Sequence, residues 1–352
     1  MSRAPLSRLA SLVTLSPTGR GKSEGERALK VITLLYALSA IVTANFMGAP
    51  WTEILALALF SALVCVQLLL FFVIVQMGLA IFKARTIHPF HLLKAIDNQL
   101  SSCNDDKSLS RGLSAMIILY PLFFAFTALK SLIPAINPYS LDPLLSHWDF
   151  VIHGNHFPHE FLGSLNQSTL AVRFAEYIYY LWFMVVLVAN GFAIFFDTNP
   201  TRRKRYLWAS IFSWMVVGSL GATLLSSVGP IFYGHFYSGE NPYADIQANF
   251  DLAQQNGAIL WPEAVNVLLE ITKNTVICDL NGISAMPSMH VGISFLISLY
   301  AFALHRTAGL IAMSFTVLIF LSSLLMGFHY AIDGYLSCAA IGVIWLICRP
   351  KD

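Results

Sequence analysis

Eight stretches of the chain are apolar for about the length a helix needs to cross a bilayer, and nearly all the cations collect in the segments between them. A hydrocarbon core about 30 Å thick takes about 20 apolar residues of helix. Runs of that kind lie near residues 29–48, 54–82, 113–133, 172–196, 206–228, 287–304, 308–327 and 331–348. They are continuously apolar and not alternating, so they predict helices rather than the strands of a barrel. With 57% hydrophobic and only 11% charged residues, the chain does not read as a water-soluble globule. The expected class is all-α, a polytopic membrane helix bundle of about eight transmembrane helices.

Lysine and arginine stay on the cytoplasmic side of a membrane protein. Placing the N-terminus inside puts 18 of the 21 cations there and leaves Lys130, Arg173 and Lys273 outside. That arrangement needs an even number of helices, which eight satisfies. The net charge of +2 therefore carries no signal for nucleic acid; the basic segments are orientation signals and lipid-headgroup contacts.

A basic tail over 1–28 precedes the first helix and is expected to be cytoplasmic. The tail shows no convincing cleavage site, so the first helix is expected to be an uncleaved anchor. Two long stretches, 134–171 and 229–286, face outward. In the first, "LDPLLSHWDFVIHGNHFPHEFLGSL" is too polar to span and too apolar to float free, and reads as re-entrant or interfacial. In the second, "WPEAVNVLLEITKN" has Pro262 at a first helical turn and reads as an amphipathic surface helix. Of the five cysteines only Cys278 faces outward, so no outer disulfide is expected. His147, His153, His156 and His159 are spaced six, three and three apart, which is not a compact ligand set, and no metal is expected there. Tyr177, Tyr179, Tyr180 and Trp182 read as an aromatic belt at the outer interface.

Two further histidines sit at helix mouths. His290, in "SAMPSMHVGIS", opens the sixth helix; His329, in "MGFHYAIDG", lies where the seventh meets the eighth. The intervening hairpin returns the chain to the same side, so both face outward. Asp333 follows His329 at i+4, which on a helix stacks a carboxylate under the imidazole, fixing its tautomer and favouring its charged form. Ionisable groups at membrane depth are costly and usually functional. Pro287 suits a first turn, Ser288 offers a hydroxyl, and the free N–H groups of a helix start favour an anion such as phosphate. In the expected chemistry His329 attacks phosphorus, Asp333 orients it, and His290 protonates the departing oxygen.

"PSMH" and "GFHYAID" resemble the second and third motifs of the type 2 phosphatidic acid phosphatase superfamily, P-S-G-H and S-R-x5-H-x3-D. "AMPSMH" is more similar to the branch containing fungal inositol phosphorylceramide synthase and its bacterial relatives. That branch's upstream D-P-L-L, D and G-x-x-P pattern is matched by Asp142, Pro143, Leu144, Leu145, Asp149, Gly154 and Pro158. The resemblance implies a six-helix catalytic core formed by helices 3 to 8, over 113–352, with the transmembrane pair and cytoplasmic loop over 29–112 as an addition to it. The chain departs from the pattern in two places. The first motif, K-x6-R-P, is absent: "SSVGPIFYG" stands where it belongs, and the only Arg-Pro is Arg349-Pro350, with Gly342 at the lysine position. The arginine of the third motif is replaced by Ser323. Phosphoryl transfer needs donors or cations to neutralise developing charge, so Lys130, Arg173 and Lys273 are the candidate substitutes, with Ser288 as a further substrate-binding group.

The function these readings imply is a membrane phosphotransferase acting on lipid phosphates or phospholipid headgroups through a phosphohistidine, without cofactor or metal, on the extracytoplasmic face. Its partners would be a membrane lipid and an alcohol acceptor. Water as acceptor makes it a lipid phosphate phosphatase instead. A lipid carrier without chemistry is a third reading, against which counts the lack of inverted or parallel helix repeats.

Overall fold

The computed structural model describes residues 19–84, 98, 99, 101, 103, 107–257, 259 and 282–349. Lys273, Cys278 and the helix expected from Pro262 lie outside the described residues. Among those residues every regular element is helical. In chain order these are α1 (Gly19–Phe46), α2 (Trp51–Ala84), α3 (Ser108–Ile136), α4 (Asp142–Ile152), α5 (Thr169–Phe196), α6 (Pro200–Leu224), α7 (Ala244–Gln255), α8 (Met289–Leu304), α9 (Arg306–Leu325) and α10 (Ala331–Ile347).

All eight apolar runs are helices. Six of them, α1, α2, α3, α5, α6 and α9, are long and apolar enough to span a membrane. The protein is an integral membrane helix bundle. The other two, α8 and α10, have 16 and 17 residues, which at 1.5 Å per residue is only about 24–26 Å. They fall short of a core about 30 Å thick. Both start at the end of the bundle that carries the histidines, and that end is covered.

The cover comes from the two polar stretches between spans. The first contains α4, with Pro143 in its opening turn, and a 3-10 helix over Pro158–Gln167. Too short and too polar to span, they lie across the bundle end, as interfacial elements do. The second stretch contributes α7, which the sequence analysis did not anticipate, packed on α5 and on the 3-10 helix. The short aromatic turn Tyr233–Phe236 joins the same layer. Here Leu145, Val172, Val228, Ile231, Phe232, Tyr243, Ile246 and Phe250 form a small apolar core of their own, separate from the main core between the spans.

Helix ends follow local chemistry. The run predicted from 206 begins at Pro200, because the Asn199 side chain accepts the N–H groups of Thr201 and Arg202 at 3.1 and 3.0 Å, so "TRRKR" is the first turn of α6 and not a loop. The α8–α9 hairpin turns at His305, whose Nδ1 accepts Thr307 N–H. It is zipped by the Ser298–Thr316 hydroxyl pair at 2.9 Å and by Gly309, where any Cβ would collide with Phe302.

Helices α1 and α2 are peripheral. Only 28% and 17% of the spanning windows of α1 and α2 are buried, against 56% and 61% for α3 and α6, so most of their surface is left for lipid. They pack on α3, and a Tyr36–Ser219 hydrogen bond ties α1 to α6.

Candidate active site

The site is assembled from three segments, which meet at the end of the bundle that carries the histidines. Residues 226–229, at the end of α6, lie beside 283–287, ahead of α8: Ala285 N–H donates to the Ser227 carbonyl and Met286 N–H to its hydroxyl, both at 3.0 Å. The α9–α10 joint closes over them, with Ile231 N–H donating to the Gly327 carbonyl at 2.8 Å. Two glycines permit this approach. Gly327 has φ +67° and Gly229 φ +86°, and a Cβ on Gly229 would stand 2.7 Å from the Phe328 carbonyl oxygen.

His329 lies two residues ahead of α10, not on it, because the chain is still leaving the Gly327 turn. The expected helical stacking of His329 on Asp333 is therefore replaced by a contact across the helix start. His329 Nδ1 is 2.7 Å from the Ala285 carbonyl and 3.3 Å from Asp333 Oδ2. A carbonyl only accepts, so Nδ1 carries the proton and Nε2 keeps its lone pair. Asp333 Oδ2 also accepts the N–H of Tyr330 at 3.0 Å, which fixes the carboxylate at the third position of α10.

His290 is the second residue of α8. Its ring centroid is 6.2 Å from that of His329, with 54° between the planes. Sequence positions 39 apart are thus brought together, too far for a mutual hydrogen bond. Ser288 caps α8: its hydroxyl accepts Val291 N–H at 3.4 Å and is fully buried, so its first task is the helix start. Of the cations, Lys130, near the end of α3, lies within electrostatic reach of His290. Arg173 does not join the pair. It is exposed, with its guanidinium 5.8 Å from the centre of the Tyr177 ring, and stands six residues, about 9 Å of helix axis, from the part of α5 that touches His290. Ser323, where the arginine would stand, donates its hydroxyl to Phe320 O in its own helix at 2.7 Å and is buried.

Two carboxylates of α4 brace this arrangement. Asp142, fully buried, accepts four donors: Val228 N–H at 3.0 Å, Gly229 N–H at 2.9 Å, the Tyr237 hydroxyl at 2.8 Å and the Tyr330 hydroxyl at 2.9 Å. Asp149 accepts the N–H groups of Ala331 and Ile332, each at 3.1 Å, and so caps the very helix that carries Asp333. Burial raises the Asp149 carboxyl above its ordinary range, against the two N–H donors and His153, which pull it down. In "SSVGPIFYG" the backbone N–H groups of Val228 and Gly229 are thus committed to Asp142.

The sequence analysis assigned Tyr179 and Trp182 to an interfacial belt; the structure corrects this. Both are buried against His290, at ring centroid distances of 4.3 and 4.4 Å. Tyr177 and Tyr180, on the other faces of α5, are exposed as a belt requires. The four loop histidines do not converge. His153 lies 2.6 Å from the Asp149 carbonyl and 3.0 Å from the Tyr335 hydroxyl, His156 pairs with Glu160, and His159 with Asp245. Among the described residues no three His, Cys, Asp or Glu side chains are grouped as metal ligands would be.

Around the two central rings the Tyr179, Ser226 and Ser284 hydroxyls and Asp333 Oδ1 are buried without a hydrogen-bond partner among the described residues. Such groups are uncommon in folded proteins, and a bound ligand or water satisfies them. A family model described as the PAP2 superfamily matches residues 145–347, more than half of the chain, and both histidines and Asp333 fall within it. The chain belongs to the PAP2 superfamily. Members of this superfamily are generally phosphatases or phosphotransferases. No curated protein and no solved structure matches the chain. The match begins inside α4, so α4 to α10 carry the likeness, while α1, α2 and α3 lie before it.

Proposed function

We propose that this protein transfers a phosphoryl or phospho-headgroup unit from a membrane lipid to an alcohol through a phosphohistidine on His329, an activity like that of inositol phosphorylceramide synthase. The observation that carries the reading is the His290–His329 pair: two rings 6.2 Å apart, one with its proton committed on Nδ1 and its Nε2 lone pair free. In this reading a phosphate group is held beside both rings, one attacking phosphorus and the other donating a proton.

In the first half-reaction His329 Nε2 attacks phosphorus, the P–O bond to the leaving lipid breaks, and protonated His290 gives its proton to the departing oxygen. The Ala285 carbonyl and Asp333 hold the positive charge that gathers on the His329 ring. In the second, neutral His290 takes the proton of the acceptor hydroxyl, the acceptor oxygen attacks phosphorus, and the N–P bond breaks, restoring Nε2. Lys130 is the cation assigned to the phosphoryl oxygens, in place of the arginines and lysine this chain lacks. The distribution of lysine and arginine supports a site on the extracytoplasmic face with both termini cytoplasmic.

The test uses purified protein in lipid nanodiscs with phosphorus-labelled phosphatidic acid and phosphoinositide donors. Ceramide or diacylglycerol is the acceptor, free phosphate and headgroup transfer are both followed, and the protein is quenched for covalent label. His329→Ala should lose turnover and label together. Substantial activity in that variant would refute the mechanism, and release of free phosphate with no transfer to either acceptor would make the enzyme a phosphatase.

A further inference from the structure

An opposite charge beside a buried imidazole favours its protonated form, and among the described residues no carboxylate is hydrogen-bonded to His290. The charged or titratable groups around it are Tyr179 from α5, with ring centroids 4.3 Å apart, the His329 ring from the α9–α10 joint, at 6.2 Å between centroids, and, at longer range, Lys130 from α3. Asp333 is hydrogen-bonded to His329, at 3.3 Å from its Nδ1. Neither ring nitrogen of His290 has a hydrogen-bond partner among the described residues.

What it does have is aromatic. α5 sets Tyr179 against the imidazole at 4.3 Å and 29°, near-parallel, and Trp182 at 4.4 Å and 47°; Phe183 meets it edge-on at 6.2 Å and 89°. The Trp182 indole N–H also donates to the His290 carbonyl at 3.0 Å, which ties α5 to the first turn of α8. A cation over the face of tryptophan or tyrosine is attracted by the ring quadrupole, more strongly in a desolvated place than in water.

We infer that Tyr179 and Trp182 are positioning residues that fix the His290 ring and, through their π faces, stabilise its protonated form where a carboxylate partner would otherwise stand. The inference rests on the proposed role of His290 as proton donor. It predicts which part of each side chain matters: the ring faces, and not the Tyr179 hydroxyl.

Two measurements test it. In the pH profile of kcat/KM with a lipid phosphate, the alkaline limb reports loss of the His290 proton. Tyr179→Leu and Trp182→Leu should move that limb toward acid by about 0.5–1 unit, while Tyr179→Phe and Trp182→Phe leave it in place. The second measurement needs no turnover. In a His329→Gln background, the pH midpoint of His290 acylation by diethyl pyrocarbonate, located by mass spectrometry, should fall by the same amount in the leucine variants and stay put in the phenylalanine variants. Midpoints unmoved by leucine, or moved equally by Tyr179→Phe and Tyr179→Leu, overturn the clamp. If the parent shows neither turnover nor covalent label but the acylation midpoint shifts as stated, the clamp stands and the proposed reaction fails. Should Tyr179→Leu not fold, Trp182→Leu against Trp182→Phe decides the matter alone.

Discussion

Replacing Asp149 with alanine removes a side chain that caps α10 from α4, and the structure sets the size of the loss. Its carboxylate is 2% exposed and accepts two backbone N–H groups, of Ala331 and Ile332, each at 3.1 Å. Bonds to a charged acceptor contribute about 1.5–3 kcal/mol each, and a buried donor left without a partner costs about 1–3 kcal/mol. Desolvation of the carboxylate, which raises its pKa, offsets part of the gain. Asp149→Ala should therefore cost about 3–5 kcal/mol. Asp149→Asn keeps one acceptor oxygen and should cost about 1–2 kcal/mol. Because Ala331 and Ile332 lie between His329 and Asp333 in the chain, the same loss loosens the nucleophile, so kcat should fall more than KM rises. The assays are denaturant unfolding in detergent, hydrogen exchange at those two amides, and turnover in nanodiscs. If Asp149→Ala unfolds within about 0.5 kcal/mol of the parent with unchanged exchange, the brace from α4 does not support the site and the reasoning fails.

Two other predictions follow from close contacts. Gly229→Ala places a methyl 2.7 Å from the Phe328 carbonyl at a φ of +86°, so it should cost about 1–3 kcal/mol and lower activity sharply; normal activity would show that the 226–229 segment shifts freely against His329. Lys130→Met should lower kcat by about 10²–10³ if the ammonium meets the phosphoryl group, with Lys130→Arg recovering part; a fall of under about threefold would remove Lys130 from the site.

Much of the candidate site was legible in the chain because its signals are local. An apolar run of 16 residues following Ser288 announces a capped helix start, and a two-helix hairpin returns the chain to the same end whatever else surrounds it. That logic paired His290 with His329 before any coordinates. It failed where the partner was distant in sequence. Asp142 and Asp149 appear in the chain only as parts of a pattern, and their backbone donors lie 86 and 182 residues away. Tyr179 and Tyr180 differ by one helical position, yet one packs on a histidine and the other faces outward.

The sequence by itself determined how many apolar helices there are, that they belong in a membrane, and that the two histidines emerge at one end, since burial of apolar surface and satisfaction of backbone groups are decided within each segment. Only the tertiary structure decided which aromatic residues enclose His290 and how α4 holds the start of α10. Those contacts depend on how helices are rotated and set beside one another, and that is fixed by packing among segments far apart in the chain, not by the period of any one of them.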